Sequence, residues 1–231
     1  MYTRKVRGMK AKRLFDLIFS SLALIVLTPL FVLVALLIKF SSRGPVLYRS
    51  KRIGQNRRKI ERRSNKLNYE NDRRKAERRI LDLRGKPFHM LEFRTMADGV
   101  DRFGPVVTFN KDHRITKFGF LLRKTKIDKL PSLVNVIKGE MSLVGPRPES
   151  PPWVARYPDE AMEVLKVKPG ITGPAQIKYR DEENLLDSEN VEHKYSQIMQ
   201  DKLAIDLDYI RKQSFWGDIK IMTRTIMSLF T

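Results

Sequence analysis

The chain has 231 residues, room for one domain plus an anchor or for two small domains. It has no Cys and only three scattered His (His89, His113, His193), which argues against disulfides, thiolate metal sites and a His-based zinc site. Its 46 Lys and Arg against 26 Asp and Glu leave a formal charge of +20, a surplus that calls for anionic partners such as nucleic acid, lipid headgroups or phosphorylated small molecules.

Residues 1–13 form a basic N-terminus with Arg4, Lys5, Arg7, Lys10, Lys12 and Arg13. An apolar segment follows, with 22 uncharged positions between Asp16 and Lys39. As a straight helix these cover about 33 Å, enough for a bilayer core of roughly 30 Å. Pro29, preceded by Thr28, sits in the middle, where a missing N–H and a steric clash predict a kink or break. Each half then reaches about half of the bilayer. Lys39, Arg43, Arg49, Lys51 and Arg52 make the far flank as basic as the near one. Both flanks therefore ask for the cytoplasmic side, which a straight span cannot provide. A re-entrant helix over 14–40, broken near Thr28 and Pro29, satisfies both; an ordinary span is the alternative.

Residues 41–231 read as a cytoplasmic globular domain. Ser41 to Pro45 is a turn and Val46 to Tyr48 a short extended piece. Residues 56–84 hold 12 Lys and Arg against 5 Asp and Glu, with an internal repeat, RRKIERR at 57–63 and RRKAERR at 73–79. They read as a solvated basic insertion, with contact to anionic lipid as the second reading. Pro87 to Met96 is expected to be a strand or a strand and turn. Ile115 to Arg123 has helical spacing, as do residues 129–138, with Asp128 in the N-cap position, Pro131 in the first turn and Gly139 as the stop. Residues 145–152 form a Pro-rich loop, and residues 159–166 and 187–200 read as surface helices. The run from Leu203 to Phe230 is amphipathic, fit for core packing or for a membrane interface. The expected fold is thus α+β and helix-rich, with short strands.

The chemistry concentrates in residues 114–148. Asp128 is a carboxylate among Arg123, Lys124, Lys126 and Lys129, either a plain N-cap or a reactive group. The sequence GPRP at 145–148 holds Arg147 in a rigid loop, suited to phosphate or a base edge, or simply to a turn. Glu140 offers a second carboxylate, and carboxylates with phosphates suggest Mg2+.

Four ordered stretches resemble the bacterial sugar transferase family of monotopic polyprenyl-phosphate phosphoglycosyl transferases. They are the apolar segment with its sequel to Asn56, PFHMLEFRTM (akin to a KFRSM-type strand), the stretch from Arg114 to Glu149, and VKPGITGPAQIKYR with its PGITG block. The resemblance implies a UDP-sugar donor, a polyprenyl phosphate acceptor, membrane lipid as surroundings, Mg2+ as cofactor, and a place at the cytoplasmic face of the bacterial inner membrane. A homodimer is compatible with it, and nucleic acid is not among the implied partners. Residue by residue, it makes Asp128 the nucleophile, Arg123 a holder of phosphates, and Arg147 with Pro146, Pro148 and Gln176 the nucleotide-binding residues. Asp128 and Glu140 are the metal candidates. One departure concerns the central motif, usually Asp-Glu-Leu-Pro and here Asp128-Lys129-Leu130-Pro131. Lys129 cannot ligate a metal while protonated, but it can pair with a phosphate; Glu140 or Glu149 is then expected to supply the missing carboxylate. A catalytically impaired scaffold and a membrane-tethered basic binding protein remain as other readings.

Overall fold

The computed structural model describes residues 2–56, 85–100, 107–109, 112–186 and 190–229. Apart from Asn56, the expected basic insertion lies outside these residues. Helix α1 runs from Tyr2 to Ser41, and its helical backbone continues through Pro29. Proline removes the donor for the Ile25 carbonyl. Thr28 Oγ1 donates instead to the Leu24 carbonyl, at 2.8 Å.

The hydropathy of α1 has no side, but its burial does. Asp16, Ser20, Val34 and Ile38 are buried against the rest of the chain, with Ala23, Leu24, Leu27, Leu30 and Phe31 partly so. Leu14, Ile18, Leu22, Ile25, Val26, Leu33, Leu37 and Phe40 follow the same helical period on the opposite side and are exposed. Near its start, Arg13 donates to the last carbonyls of a short helix, Val136 O at 2.6 Å and Ile137 O at 2.9 Å. Asp16 accepts from Ser142 Oγ at 2.8 Å. Near its end, Phe31 meets Phe93 edge-on at 5.4 Å between ring centres.

Strands β1 (Leu47–Ile53) and β2 (Pro87–Phe93) pair antiparallel, with Ser50 opposite Met90. The extended piece expected at 46–48 therefore reaches five residues further, to Ile53. Helix α2 (Lys117–Lys124) starts at Thr116, whose side chain accepts from Gly119 N at 2.9 Å. Gly119 is needed there: a Cβ would lie 2.0 Å from the Thr95 carbonyl. Beyond α2 the chain turns through Lys126, in the left-handed region at φ 58, into a 3-10 turn over Ile127–Ser132 and then helix α3, Leu133–Ile137. This corrects the expectation of a single helix capped by Asp128. Asp128 is the second residue of the 3-10 turn. Pro131 lacks the N–H for an α-helical bond and disfavours the α conformation at Leu130, so the tighter turn takes over until Ser132. Gly139, at φ 79, ends α3 as expected.

The 3-10 turn and α3 dock on the open edge of β2. Ser132 Oγ donates to the Leu91 carbonyl at 2.9 Å, and Asn135 accepts from Leu91 N at 2.9 Å and donates to the His89 carbonyl at 2.7 Å. Two side chains thus complete the strand's backbone bonding where a third strand would otherwise lie.

Strands β3 (Ser142–Val144) and β4 (Gly170–Thr172) pair parallel. The VGPRP and PGITG blocks meet here backbone to backbone: Gly170 N donates to the Pro146 carbonyl at 2.9 Å, and a Cβ on Gly170 would lie 2.1 Å from Gly145 N. Helix α4 (Pro151–Val154), a 3-10 segment (Asp159–Lys166), helix α5 (Pro174–Lys178) and a second 3-10 segment (Glu182–Leu185) lead into α6 (Val191–Lys212) and α7 (Phe215–Ser228). The surface helix expected at 187–200 is neither so short nor superficial. It extends to Lys212, and Tyr195, Met199 and Leu203 are buried with Trp153, Val154 and Leu165. The amphipathic run from Leu203 breaks at Gln213–Ser214, where Ser214 Oγ accepts from Gly217 N at 3.1 Å and starts α7.

Asn135 is fully buried. Replacing it with Ala leaves Leu91 N and the His89 carbonyl unpaired at the strand edge. Unsatisfied buried groups cost about 1–3 kcal/mol each. Asn135→Ala is expected to lower unfolding free energy by about 2–4 kcal/mol on that scale, read by thermal melting of the detergent-solubilised protein.

Candidate active site

The alternation of β2 turns Phe88, Met90 and Glu92 inward. An acid thus follows two core residues on the same face, 6% exposed. The docking of Ser132 and Asn135 on this strand carries Asp128 and Lys129 up to it. Lys129 Nζ contacts Asp128 Oδ2 at 3.2 Å and forms a short ion pair with Glu92 Oε1. Ser50 Oγ donates to the other Glu92 oxygen at 3.1 Å. Burial alone would push the Glu92 carboxyl up; Lys129 and Arg52 overcome it and hold it at about 2. Burial likewise works against charge on Lys129, but Asp128 and Glu92 outweigh it and raise its pKa. One ammonium therefore serves two carboxylates.

Asp128 is 3% exposed, and its Oδ1 accepts no hydrogen bond among the described residues. An uncommitted carboxylate oxygen in a buried setting is costly unless something else uses it.

Arg147 extends from the GPRP loop after β3. Its guanidinium meets Glu149 Oε1 at 3.2 Å and Glu182 Oε1 at 3.2 Å. Burial opposes charge on Arg147, and Glu182 and Glu149 more than offset it, raising its pKa. Glu182 also pairs closely with Lys202 of α6, and Glu149 accepts from Tyr195 Oη at 2.9 Å. Arg123 donates to Thr95 Oγ1 at 2.9 Å and to Glu183 at 2.7 Å. Lys126 donates to the Arg180 carbonyl at 2.8 Å. Arg52 lies 3.9 Å from Glu149 and donates to Ser50 Oγ at 3.4 Å, so the Glu92–Lys129 pair and the GPRP loop share one charged network.

The structure thus brings together Asp128, Lys129 and Arg147, while Arg123 pairs with Glu183, next in sequence to the Glu182 that meets Arg147. Pro146 and Pro148 are buried in the loop backbone, and Gln176 donates to the Gly145 carbonyl at 3.4 Å, its Oε1 buried without a donor among the described residues. Glu140 goes elsewhere. It accepts from Asn135 Nδ2 at 2.8 Å, and no hydrogen bond or ion pair joins it to Asp128 among the described residues. Glu149 is committed to Arg147 and Tyr195. The carboxylate beside Asp128 is Glu92, which motif reading passed over. The signal was its place in the alternation of β2, where an apolar residue belongs. Glu182 and Lys202 carried no comparable signal.

The described residues contain no group of three or more His, Asp or Glu side chains gathered to hold a metal ion. The uncommitted oxygen on Asp128 does suit a hard divalent cation that takes its remaining oxygens from substrate phosphates.

A model of the family described as bacterial sugar transferase matches residues 7–81 and 74–231. The chain belongs to the bacterial sugar transferase family. A relative from Caulobacter vibrioides, named UDP-glucose:undecaprenyl-phosphate glucose-1-phosphate transferase, is 36% identical over 95% of this chain and 70% of its own length. One of the same name from Escherichia coli K12 is 35% identical over 95% of this chain and 40% of its own length. The exopolysaccharide production protein ExoY of Rhizobium meliloti is 32% identical over 96% of this chain and 86% of its own length. The chain thus spans less than half of the Escherichia coli relative and most of the Rhizobium one. Within this family member, Ala11–Ser41 is a helix long and apolar enough to cross a membrane.

Behind Arg147, Asp206 of α6 accepts from the Arg147 backbone N–H at 3.3 Å, and its second oxygen accepts nothing among the described residues. Burial, with Glu149 adding to it, raises its pKa from an ordinary 3.8 to about 7. Between those values the folded state keeps a proton that the unfolded chain has lost, so this group costs stability increasingly as pH rises from 3.8 to about 7. Asp206→Asn is expected to melt higher than wild type at about pH 8, with the difference closing toward about pH 4, a profile read by thermal unfolding across pH.

Proposed function

We propose that this chain transfers a phosphosugar from a UDP-sugar to polyprenyl phosphate, through a covalent intermediate on Asp128. The observation that carries the reading is the buried Asp128, with Oδ2 beside Lys129 and Oδ1 uncommitted among the described residues. In the first step an Asp128 oxygen bonds to the sugar-bearing phosphorus, and the bond from that phosphorus to the bridging oxygen breaks. UMP leaves with the electron pair. In the second step an oxygen of polyprenyl phosphate bonds to the same phosphorus and the aspartyl oxygen departs. Lys129, Arg147 and Arg123 meet the phosphate charges, and the Pro146–Pro148 loop with Gln176 holds the nucleotide side. Mg2+, held by the open Asp128 oxygen together with donor oxygens, would supply neutralisation of the diphosphate.

The names of the relatives make UDP-glucose the first donor to test. An impaired scaffold was motivated by Lys129 alone; Glu92 supports the active reading by keeping a second carboxylate beside Asp128. Given UDP-glucose and other UDP-sugars without acceptor, the protein is expected to release up to one equivalent of UMP and to carry a phosphosugar mass on Asp128. Asp128→Asn is expected to lose about 1000-fold or more of this release. Silence of the wild type with every donor, beside an active relative, rejects the reading.

The same reading sets α1 at the cytoplasmic face, entering and leaving one leaflet. Its support is the contact of α1 with the domain from Arg13 to Ile38. A helix crossing the bilayer would carry that polar domain into the hydrocarbon, which backbone and charge desolvation forbid. The exposed apolar face then meets lipid, joined by Phe120 and Leu121 of α2 and Trp216 of α7. Cysteines placed at positions 5 and 51 are expected to react with a membrane-impermeant thiol reagent from the cytoplasmic side only. Labelling from opposite sides supports a span.

A further inference from the structure

We infer that Glu92 and Lys129 form one positioning unit for Asp128 and that the two residues can exchange places without loss of function. The inference rests on the transferase reading above. Lys129 Nζ lies between two carboxylates, Asp128 at 3.2 Å and Glu92 in closer contact. Glu92 is fixed on the rigid strand β2 and further held by Ser50 Oγ at 3.1 Å. It has almost no exposure, so its charge is met by Lys129, with Arg52 adding at longer range. Glu92 thus pins the ammonium, and the ammonium sets which Asp128 oxygen is engaged, leaving Oδ1 open.

The sequence gives an independent observation. The stretch EFRTM at 92–96 is the one that resembles a KFRSM-type strand, so Glu92 stands where that pattern has Lys. Lys129 stands where the Asp-Glu-Leu-Pro pattern has Glu. Each departure alone reverses a charge beside a buried carboxylate. Together they leave two carboxylates and one ammonium around the same point, with a net charge of −1 in either arrangement. The structure joins the two deviant residues directly. After exchange, the ammonium arrives from β2 and the second carboxylate from the 3-10 turn, and the ammonium again lies between two acids.

The unit makes two different demands, and they separate in experiment. Removing the acid frees Lys129 to pair with a phosphate, so ground-state binding survives while Asp128 loses its orientation. Removing the ammonium leaves two unneutralised carboxylates facing an anionic donor. The test compares wild type, Glu92→Gln, Lys129→Met and the exchanged variant E92K/K129E in detergent and Mg2+ buffer. UDP affinity is measured by calorimetry, adduct formation on Asp128 by rapid quench, and melting temperature in parallel. Glu92→Gln is expected to bind UDP at least as tightly as wild type yet form adduct about 100-fold more slowly. Lys129→Met is expected to weaken UDP by about 10-fold or more and to slow the adduct as well. The exchanged variant is expected to recover adduct formation to within about 10-fold of wild type. The split between binding and chemistry in Glu92→Gln is one that a merely structural ion pair does not produce. An exchanged variant that melts like wild type but is no faster than the slower single variant overturns the inference, as does a Glu92→Gln protein with wild-type adduct formation. An inactive wild type counts instead against the transferase reading. In that case wild-type UDP affinity retained in Lys129→Met overturns the pair on its own.

Discussion

A carboxylate with almost no solvent exposure must have its charge answered from within the protein, and the way Asp128 is answered organises much of the structure. Its neighbour Lys129 is the direct counter-charge, but an ammonium next to one aspartate on a six-residue turn has no fixed place. Glu92 gives it one, because β2 is a paired strand with its partner β1 on one edge. That arrangement holds only while the turn stays docked on the other edge, through Ser132 and Asn135. The hydrogen bonds that complete a strand are thus the same ones that set the distance between two reactive-site charges.

The wider charge balance follows from the same need. The chain carries a large positive surplus, yet the cations around Asp128 are not bare. Arg147 rests on Glu149 and Glu182, Lys202 on Glu182, and Arg123 on Glu183. Paired this way, they avoid much of the mutual repulsion that neighbouring cations would otherwise suffer. In the proposed transfer, a diphosphate entering the site competes with the protein's own carboxylates for the same donors. The Glu183 side chain is 40% exposed against 11% for Glu182 and 5% for Glu149, so the Arg123 pair is the one that solvent screening weakens most.

Much of this architecture was legible in the sequence, and its limits have physical reasons. The apolar segment, the strand at Pro87, the helix after Thr116 and the stop at Gly139 are set by local chemistry: hydropathy, alternation, an N-cap and a left-handed backbone. Asp128, Arg123 and Arg147 stood out because short motifs surround them. The cap assigned to Asp128 failed because Pro131 acts on the residues before it, tightening a turn that spacing alone reads as α-helix. Glu140 follows the motif closely in sequence, but α3 and the turn at Gly139 carry it to Asn135. Glu92 lies 36 positions before Asp128, and only strand pairing and docking bring it near. Glu182 and Lys202 are remote in the same way. Their pairing is a tertiary fact with no local trace.

The faces of α1 extend that lesson to the membrane. By composition the helix is apolar all round, the pattern of a span. Only the burial record divides it into one side seated on the domain and one side open. A lipid acceptor has its phosphate at headgroup depth and its chain in hydrocarbon, whereas a nucleotide donor stays in water. One carboxylate can serve both only if the surface carrying it lies at the boundary between those media. An anchor that merely tethered the domain would leave that depth to the length of a linker. Because α1 is bonded to β3 through Asp16, to α3 through Arg13 and to β2 through Phe31, it fixes the height of β2 and of the turn beside it directly. On the proposed reading, the position of Asp128 relative to the bilayer is therefore a property of the folded core, set by the same strand that carries Glu92.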